Sequence, residues 1–271
     1  MGLRILHLCK KVNHVTSSNG PLITIVLTTF NSERVIEKTL KGVIEQDFPL
    51  NRVELVIVDG VSKDNTLKVI REFIKHYAEK FYDVNVIVHD KNYSLSKARN
   101  NGLKASRGKY LLILDDDMYM EKNSLHVLYE FLSNSPSRII GAMPLLVPVS
   151  NNLLDRWRVR ALEGRITEYY AVANCAMLKR NVIEVVGYYD ETLGPPFTTF
   201  EEMKYGARIA SKGFKICMLG WIKAYHYCNV ENEDREQKGD RKPFHESHQL
   251  YTLSLMKSIY MTLRSGSKVC H

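Results

Sequence analysis

Polar and apolar positions up to Asp115 alternate between two periods. Leu22–Leu27 (LITIVL) is a β-branched, largely apolar run of strand length that ends in the polar stretch Thr28-Thr29-Phe30-Asn31-Ser32. From about Glu33, Val35, Ile36, Leu40, Val43 and Ile44 recur at helical spacing, which predicts a helix with one buried face. Val53–Val58 is a second buried run, ending in Asp59-Gly60-Val61-Ser62-Lys63-Asp64-Asn65, and Leu67, Ile70, Phe73, Ile74 and Tyr77 set the face of the next helix. Val84–Val88 is a third strand, and Ser94 is placed to cap a helix reaching about Ala105. Tyr110–Leu114 is the fourth strand and leads directly into Asp115-Asp116-Asp117.

Strands that are apolar along their whole length and alternate with helices predict an α/β fold, its parallel sheet covered on both faces. Right-handed crossovers place the first and fourth of these strands side by side, in the order 3-2-1-4. Thr28–Ser32, Asp59–Asn65 and Asp115–Asp117 then share one carboxyl edge, where such sheets bind ligands. The second half is less regular. Leu146–Tyr170 is polar and Arg-rich, Val172–Leu178 and Phe214–Leu219 are strand-like, and Glu201–Lys212 is a helix closed by Gly213. Glu231–Lys242 is a charged loop, and Gln249–Leu263 is an amphipathic helix.

The acidic run carries the first chemical signal. Three carboxylates crowded at a strand end repel one another and lose hydration unless a cation neutralises them. Oxygen ligands select Mg²⁺, Mn²⁺ or Ca²⁺. A net charge of +8 favours anionic partners such as nucleotides, phosphorylated substrates or anionic membrane surfaces. No concentrated basic stripe points to nucleic acid. Five cysteines without a CxxC pair suggest reduced thiols and a cytoplasmic setting, and His226 beside Cys228 has no second pair with which to form a zinc site. Arg4 and His7 interrupt the apolar residues near the N-terminus, which does not read as a signal peptide.

The first strand-to-helix turn, Thr28-Thr29-Phe30-Asn31-Ser32-Glu33, lacks the glycines of a dinucleotide fingerprint, and no GxxxxGK[ST] loop is present. The acidic run follows the fourth strand, which argues against a phosphatase-type aspartate nucleophile after the first. Thr28–Ser32, Val58–Thr66, Ala98-Arg99-Asn100-Asn101-Gly102 and Leu114–Asp117 together resemble the inverting nucleotide-sugar glycosyltransferases of family 2, which have the GT-A fold. Asn174–Arg180, Gly187, Asp190, Phe200–Arg208 and Gly213–Ile216 fit the same pattern, so the resemblance covers about Leu22 to Tyr227.

The resemblance implies a Rossmann-like donor half (21–120) and an acceptor-binding, catalytic half (121–230), flanked by an N-terminal extension (1–20) and a charged loop with the last helix (231–271). It implies that Thr28, Phe30, Asn31 and Asp59 hold base and ribose, although an aspartate such as Asp59 also serves as a turn residue bonding its own backbone. Arg99 would lie by the diphosphate. Asp115 would lie near the ribose, Asp116 would contact the donor beside it, and Asp117 would lie on a Mn²⁺ or Mg²⁺ ion with His226 nearby. Glu202, in Glu201-Glu202, aligns with the general base, where Asp is usual, and a further family acid is Lys204 here. Arg235, Lys238 or Arg241 of the charged loop would reach the phosphates on closure.

The expected activity is a non-processive hexosyl transfer from a nucleoside-diphosphate sugar, UDP-sugar favoured, because the QxxRW motif of processive synthases is missing. Two alternatives stay open: a nucleotidyltransferase making sugar nucleotides, and a degenerate sugar-nucleotide-binding protein. Asp155-Arg156-Trp157-Arg158-Val159-Arg160 and Arg165, with the last helix, suggest a phosphorylated or lipid-linked acceptor met peripherally at the cytoplasmic membrane face. The last helix would alternatively pack on the sheet or form a homodimer.

Overall fold

A computed structural model describes residues 4–6, 20–149, 153–172, 174–192 and 201–227. In chain order the elements are β1 (Arg4–Leu6), β2 (Ile23–Thr29), α1 (Ile36–Ile44), β3 (Val53–Asp59), α2 (Thr66–Tyr77), β4 (Asp83–Val88), α3 (Leu95–Ala105), β5 (Tyr110–Asp115), β6 (Met118–Met120) and α4 (Ser124–Asn134). There follow β7 (Ile139–Pro148), α5 (Leu153–Leu162), β8 (Ile166–Tyr169), β9 (Cys175–Lys179), α6 (Val182–Val185), α7 (Glu201–Ser211) and β10 (Lys215–His226). The charged loop Glu231–Lys242 and the expected helix Gln249–Leu263 lie outside the described residues, as does Cys228.

One sheet runs through the protein in the order β1-β4-β3-β2-β5-β9-β7-β10-β6, with β8 paired to β10. Its parallel centre, β4-β3-β2-β5, is the expected 3-2-1-4 arrangement of the four sequence-predicted strands. Every residue of β2 and β3 is buried, which explains their largely apolar character, and the mid-strand exceptions bond each other, Thr24 Oγ1 donating to Glu54 Oε2 at 2.6 Å. Ser94 caps α3 by accepting from Lys97 N at 3.3 Å, and Gly213, at φ +81, closes α7 in the left-handed region.

Four expectations need correction. The first helix begins at Ile36 and not Glu33, because Val35 N and Ile36 N bond back to Ser32 O in a turn that follows Asn31, itself left-handed at φ +52. Val172–Leu178 becomes a strand only from Cys175, because Asn174 sits at φ +62. The stretch from Leu146 to Tyr170 is structured: it closes β7 and contains α5 and β8. Phe214–Leu219 is the first part of a strand that runs on to His226, and this extension brings His226 into the site. The N-terminal segment also joins the fold, where Arg4–Leu6 pairs antiparallel with Val86–Val88 at the sheet edge.

Helix α7 packs close to the chain at Tyr170. A Cβ at Gly206 would lie 2.1 Å from Tyr170 O and 2.5 Å from its carbonyl carbon. Backbone cannot move aside as a flexible side chain can, so Gly206→Ala is expected to cost about 1–3 kcal/mol. A urea midpoint equal to that of the parent protein would show that α7 shifts freely.

Candidate active site

The carboxyl ends of β2, β3 and β5 meet because the register aligns Thr28 with Val58 and Asp115, and Thr29 with Asp59. The three loops that leave these strands are bonded to one another. Asn31 N donates to Ser62 Oγ at 2.8 Å, and Lys63 N donates to Asn31 Oδ1 at 2.8 Å. Glu33 Oε2 accepts from Asn65 N and Nδ2 at 2.9 and 2.8 Å. Asn31, Val61 and Asn174 are the non-glycine residues with positive φ among the described residues, and all three lie at this edge. A β-branched residue such as Val61 at φ +67 is a rare and costly conformation, and such strain clusters at functional sites.

Asp59 is fully buried and accepts from Ser62 N at 2.9 Å and Ser62 Oγ at 2.6 Å. It therefore acts as the turn aspartate left open above, and it holds Val61 in its left-handed state. Asn31 likewise spends its side-chain oxygen on the neighbouring loop. Phe30 presents an exposed ring beside Gly60, a flat apolar surface of the kind on which a base stacks. Thr28 is buried, and its hydroxyl has no hydrogen-bond partner.

Asp115, Asp116 and Asp117 have three different surroundings. Asp116 accepts from Ser32 Oγ in a short bond and from Phe30 N at 3.2 Å, and its carbonyl accepts from Thr39 Oγ1 at 2.6 Å. Burial, with Asp117 alongside, pushes its carboxyl up to about 7. Asp116 thus ties the loop after β2 to the acidic turn, and its expected ligand contact gives way to a structural one. Asp117 has Oδ2 3.0 Å from His226 Nε2, while its Oδ1 is buried without a partner. The pair forms because β10 runs antiparallel to β6, which aligns His226 with Met118, and Tyr227 N extends the ladder to Asp117 O at 2.9 Å.

Arg99 departs furthest from expectation. It is 1 % exposed and offers no open face to a diphosphate. Its Nη2 bonds Asp115 Oδ1 and Oδ2 at 2.9 and 3.2 Å, and its Nη1 bonds Glu201 Oε1 at 3.2 Å. The guanidinium also lies 5.5 Å from the ring centre of Tyr189, which itself stacks on Tyr205 at 4.2 Å. The two flanking carboxylates raise the already high pKa of Arg99 against its own burial, so it stays charged. Arg99 is a clamp between the end of β5 and the start of α7. Asp115 also accepts from Asn174 N at 3.0 Å and stays partly exposed at the edge.

Glu201 is buried, and burial pushes its carboxyl up to about 7 against the pull of Arg99, while its Oε2 has no partner. Glu202 is half-buried on the first turn of α7, which Val172 N anchors by donating to Glu202 O at 3.2 Å. Lys204 pairs with Asp190 in a short bond, and this with Thr192 holds Asp190 well below the usual carboxylate range. Arg158, expected among the acceptor-binding guanidiniums, turns inward and pairs with Asp155 at 3.7 Å.

Sequence reasoning placed Ser32 and Ser62 at this edge without giving them a role, and it missed Thr39 and Tyr189, whose side chains bond Asp116 O and Val172 O. Thr28 Oγ1, Asp117 Oδ1 and Glu201 Oε2 are buried polar atoms without partners at or beside one sheet edge. Native proteins ordinarily satisfy such atoms with protein, water or a bound ligand. A divalent cation suits the donor set, with an unbonded carboxylate oxygen on Asp117 and an imidazole beside it. Among the described residues no group of three or more such side chains converges.

The sequence model of glycosyl transferase family 2 matches residues 24–187. The dolichyl N-acetyl-alpha-D-glucosaminyl phosphate 3-beta-D-2,3-diacetamido-2,3-dideoxy-beta-D-glucuronosyltransferase of Methanococcus voltae is 30% identical over 210 residues, covering 72% of this chain and 63% of that protein. The poly(ribitol-phosphate) beta-N-acetylglucosaminyltransferase TarS of Staphylococcus aureus is 28% identical over 245 residues, 87% of this chain and 40% of that protein. The chain thus spans less than two thirds of either relative. The mannosyltransferase PcManGT from Pyrobaculum calidifontis, in complex with GDP-Man and Mn²⁺, superposes with a TM-score of 0.64 at 16% identity, covering 93% of this chain and 66% of that one. TarS in complex with UDP-GlcNAc gives 0.59 at 20% identity, covering 76% of this chain and 58% of that one. At these identities the likeness concerns the fold, which is GT-A.

Proposed function

The chain belongs to glycosyl transferase family 2, and from that membership and its carboxyl edge we propose a metal-dependent, inverting, non-processive glycosyltransferase. The observation that carries the proposal is the Asp117–His226 pair, with Asp117 Oδ1 buried and unsatisfied at the ligand-binding edge of the sheet. The donor is a nucleoside-diphosphate sugar, UDP-sugar favoured: Phe30 stacks the base, and the free hydroxyl of Thr28 serves base and ribose. When bound, a Mn²⁺ or Mg²⁺ ion held by Asp117 with His226 beside it would neutralise the diphosphate leaving group.

Glu202 accepts the proton of the acceptor hydroxyl as its oxygen bonds to the anomeric carbon. The bond from that carbon to the diphosphate breaks in the same step, and its electron pair leaves with the nucleoside diphosphate. Arg99 acts as a positioning residue, fixing α7 and therefore Glu202 against the acidic turn. The relatives' names, a dolichyl-linked sugar phosphate in one and poly(ribitol phosphate) in the other, support an acceptor that carries phosphate or lipid.

Incubation with UDP-glucose, UDP-GlcNAc or GDP-mannose and Mn²⁺ tests the proposal. Free nucleoside diphosphate is expected. Pyrophosphate exchange would indicate a nucleotidyltransferase, and donor binding without turnover a binding protein. Asp117→Asn is expected to keep the parental melting temperature yet lose the extra stability that UDP with Mn²⁺ gives the parent. An equal ligand-induced shift in both proteins would remove the metal from Asp117.

A further inference from the structure

Helix α5 is amphipathic the wrong way round for a helix that serves only the core. Leu162 is its one fully buried residue, and the half-buried side carries the Asp155–Arg158 ion pair. The outward side carries Leu153 at 76% exposure and Trp157 at 60%, one turn apart, with Leu154 beside them and Arg156 and Arg160 on the flank. The other tryptophan of the chain, Trp221, is 47% exposed on the β10 bulge that is bonded to the end of α5. Gly164 N donates to Gly220 O at 2.9 Å, Gly220 N to Arg165 O at 2.7 Å, and Lys223 Nζ pairs with Glu163 Oε1 at 2.6 Å. Arg165, in the same turn, is exposed.

We infer that the outward face of α5, with Trp221 and the arginines 156, 160 and 165, docks on an anionic lipid surface. Charge selects this occupant: exposed guanidiniums flank the apolar stripe on a chain of net charge +8, which attracts anionic headgroups and repels a second copy. Size points the same way. A helix of 10 residues is ~15 Å long, and one stripe of it falls well short of the ~800 Å² per partner of a stable protein interface. Tryptophan suits a lipid boundary, with an apolar ring and an N–H that stays wet. The docked helix would also lie next to the proposed catalytic edge, because Val149 N, just before α5, bonds His226 O at 2.8 Å. A lipid-linked acceptor in the same surface would then meet Asp117 and Glu202 without leaving the membrane. The docking stands without the catalytic proposal, since binding is read without turnover.

The test is flotation of the full chain with phosphatidylcholine vesicles, with and without phosphatidylglycerol, at low and moderate salt, alongside quenching of tryptophan emission by brominated lipid. The protein is expected to float only with phosphatidylglycerol, to bind less at moderate salt, and to be quenched. The double variant Leu153→Ser, Trp157→Ser is expected to bind about tenfold more weakly with an unchanged melting temperature, since both side chains are exposed. Arg156→Gln with Arg160→Gln should flatten the salt dependence. Protein that stays at the bottom with anionic vesicles at low salt overturns the inference. So does undiminished binding by the serine variant, which would put the contact elsewhere, or dimerisation of the parent that this variant abolishes, which would make the face a contact between copies.

Discussion

Arg99→Met is expected to destabilise the protein by about 3–5 kcal/mol, the cost of leaving a buried charge without its partner. The side chain lies within the fold, and its removal strands two carboxylates, Asp115 and Glu201, that it bonds at 2.9 and 3.2 Å. Against a total stability of ~5–15 kcal/mol for a domain, that loss is large. The pH dependence separates charge from packing. Stranded carboxylates have folded-state pKa values above their unfolded ones, so their penalty is present above about pH 4 and fades as acid protonates both states. The gap in urea midpoint between variant and parent should therefore narrow on acidification, whereas a lost packing contact would cost the same at every pH. Arg99→Lys should fall between the two, because one ammonium cannot reproduce the fork that serves both carboxylates. A midpoint for Arg99→Met within about 1 kcal/mol of the parent, the level of an exposed pair, would refute the clamp.

The parallel half of the sheet was legible because its central strands β2, β3 and β5 are largely buried on both faces and so are mostly apolar along their length. The carboxyl edge followed from topology, and the acidic run fell where that topology sends the fourth strand. The later strands were harder to read for a local reason. Ile139–Pro148 contains Gly141 and Pro144, which ordinarily interrupt a strand. Pro144 is tolerated because it faces the bulge of β10, where the register jumps from Leu219 to Lys223 and the ladder is broken anyway. The same bulge divides β10, so the sequence pattern exposes only its first part.

Contacts across the fold leave a different kind of gap. Arg99 lies 16 residues from Asp115 and 102 from Glu201, and no local pattern distinguishes a buried clamp from a cation aimed at a ligand. Once the strands are placed the distinction becomes visible: α3 lies over β2 and β3, so close that a Cβ at Gly102 would run into Val26, and this inward face also carries Arg99. Asp59 teaches the opposite lesson. Its turn chemistry was readable from the Asp-Gly-Val-Ser sequence, and the bonds to Ser62 make that local chemistry its visible work.

Glu202→Gln is expected to lower turnover about a hundredfold or more while leaving donor affinity and melting temperature near those of the parent, because it removes only a proton acceptor. The neighbouring Glu201 supplies the contrast. Glu201 is buried, bonded to Arg99 at 3.2 Å and raised to about 7, so an acceptor hydroxyl cannot readily reach it. Its replacement by Gln should therefore act on the clamp, lowering the urea midpoint more than Glu202→Gln does. Glu202 is half-buried on the same first turn of α7, open enough to meet an acceptor and held in place by Val172. The two variants thus divide the pair: a stability loss at 201, a rate loss at 202. Donor affinity, measured by titration of UDP with Mn²⁺, guards against a trivial loss of binding. Parental turnover in Glu202→Gln, with the rate loss found at Glu201 instead, would reverse the assignment and make the buried carboxyl the base.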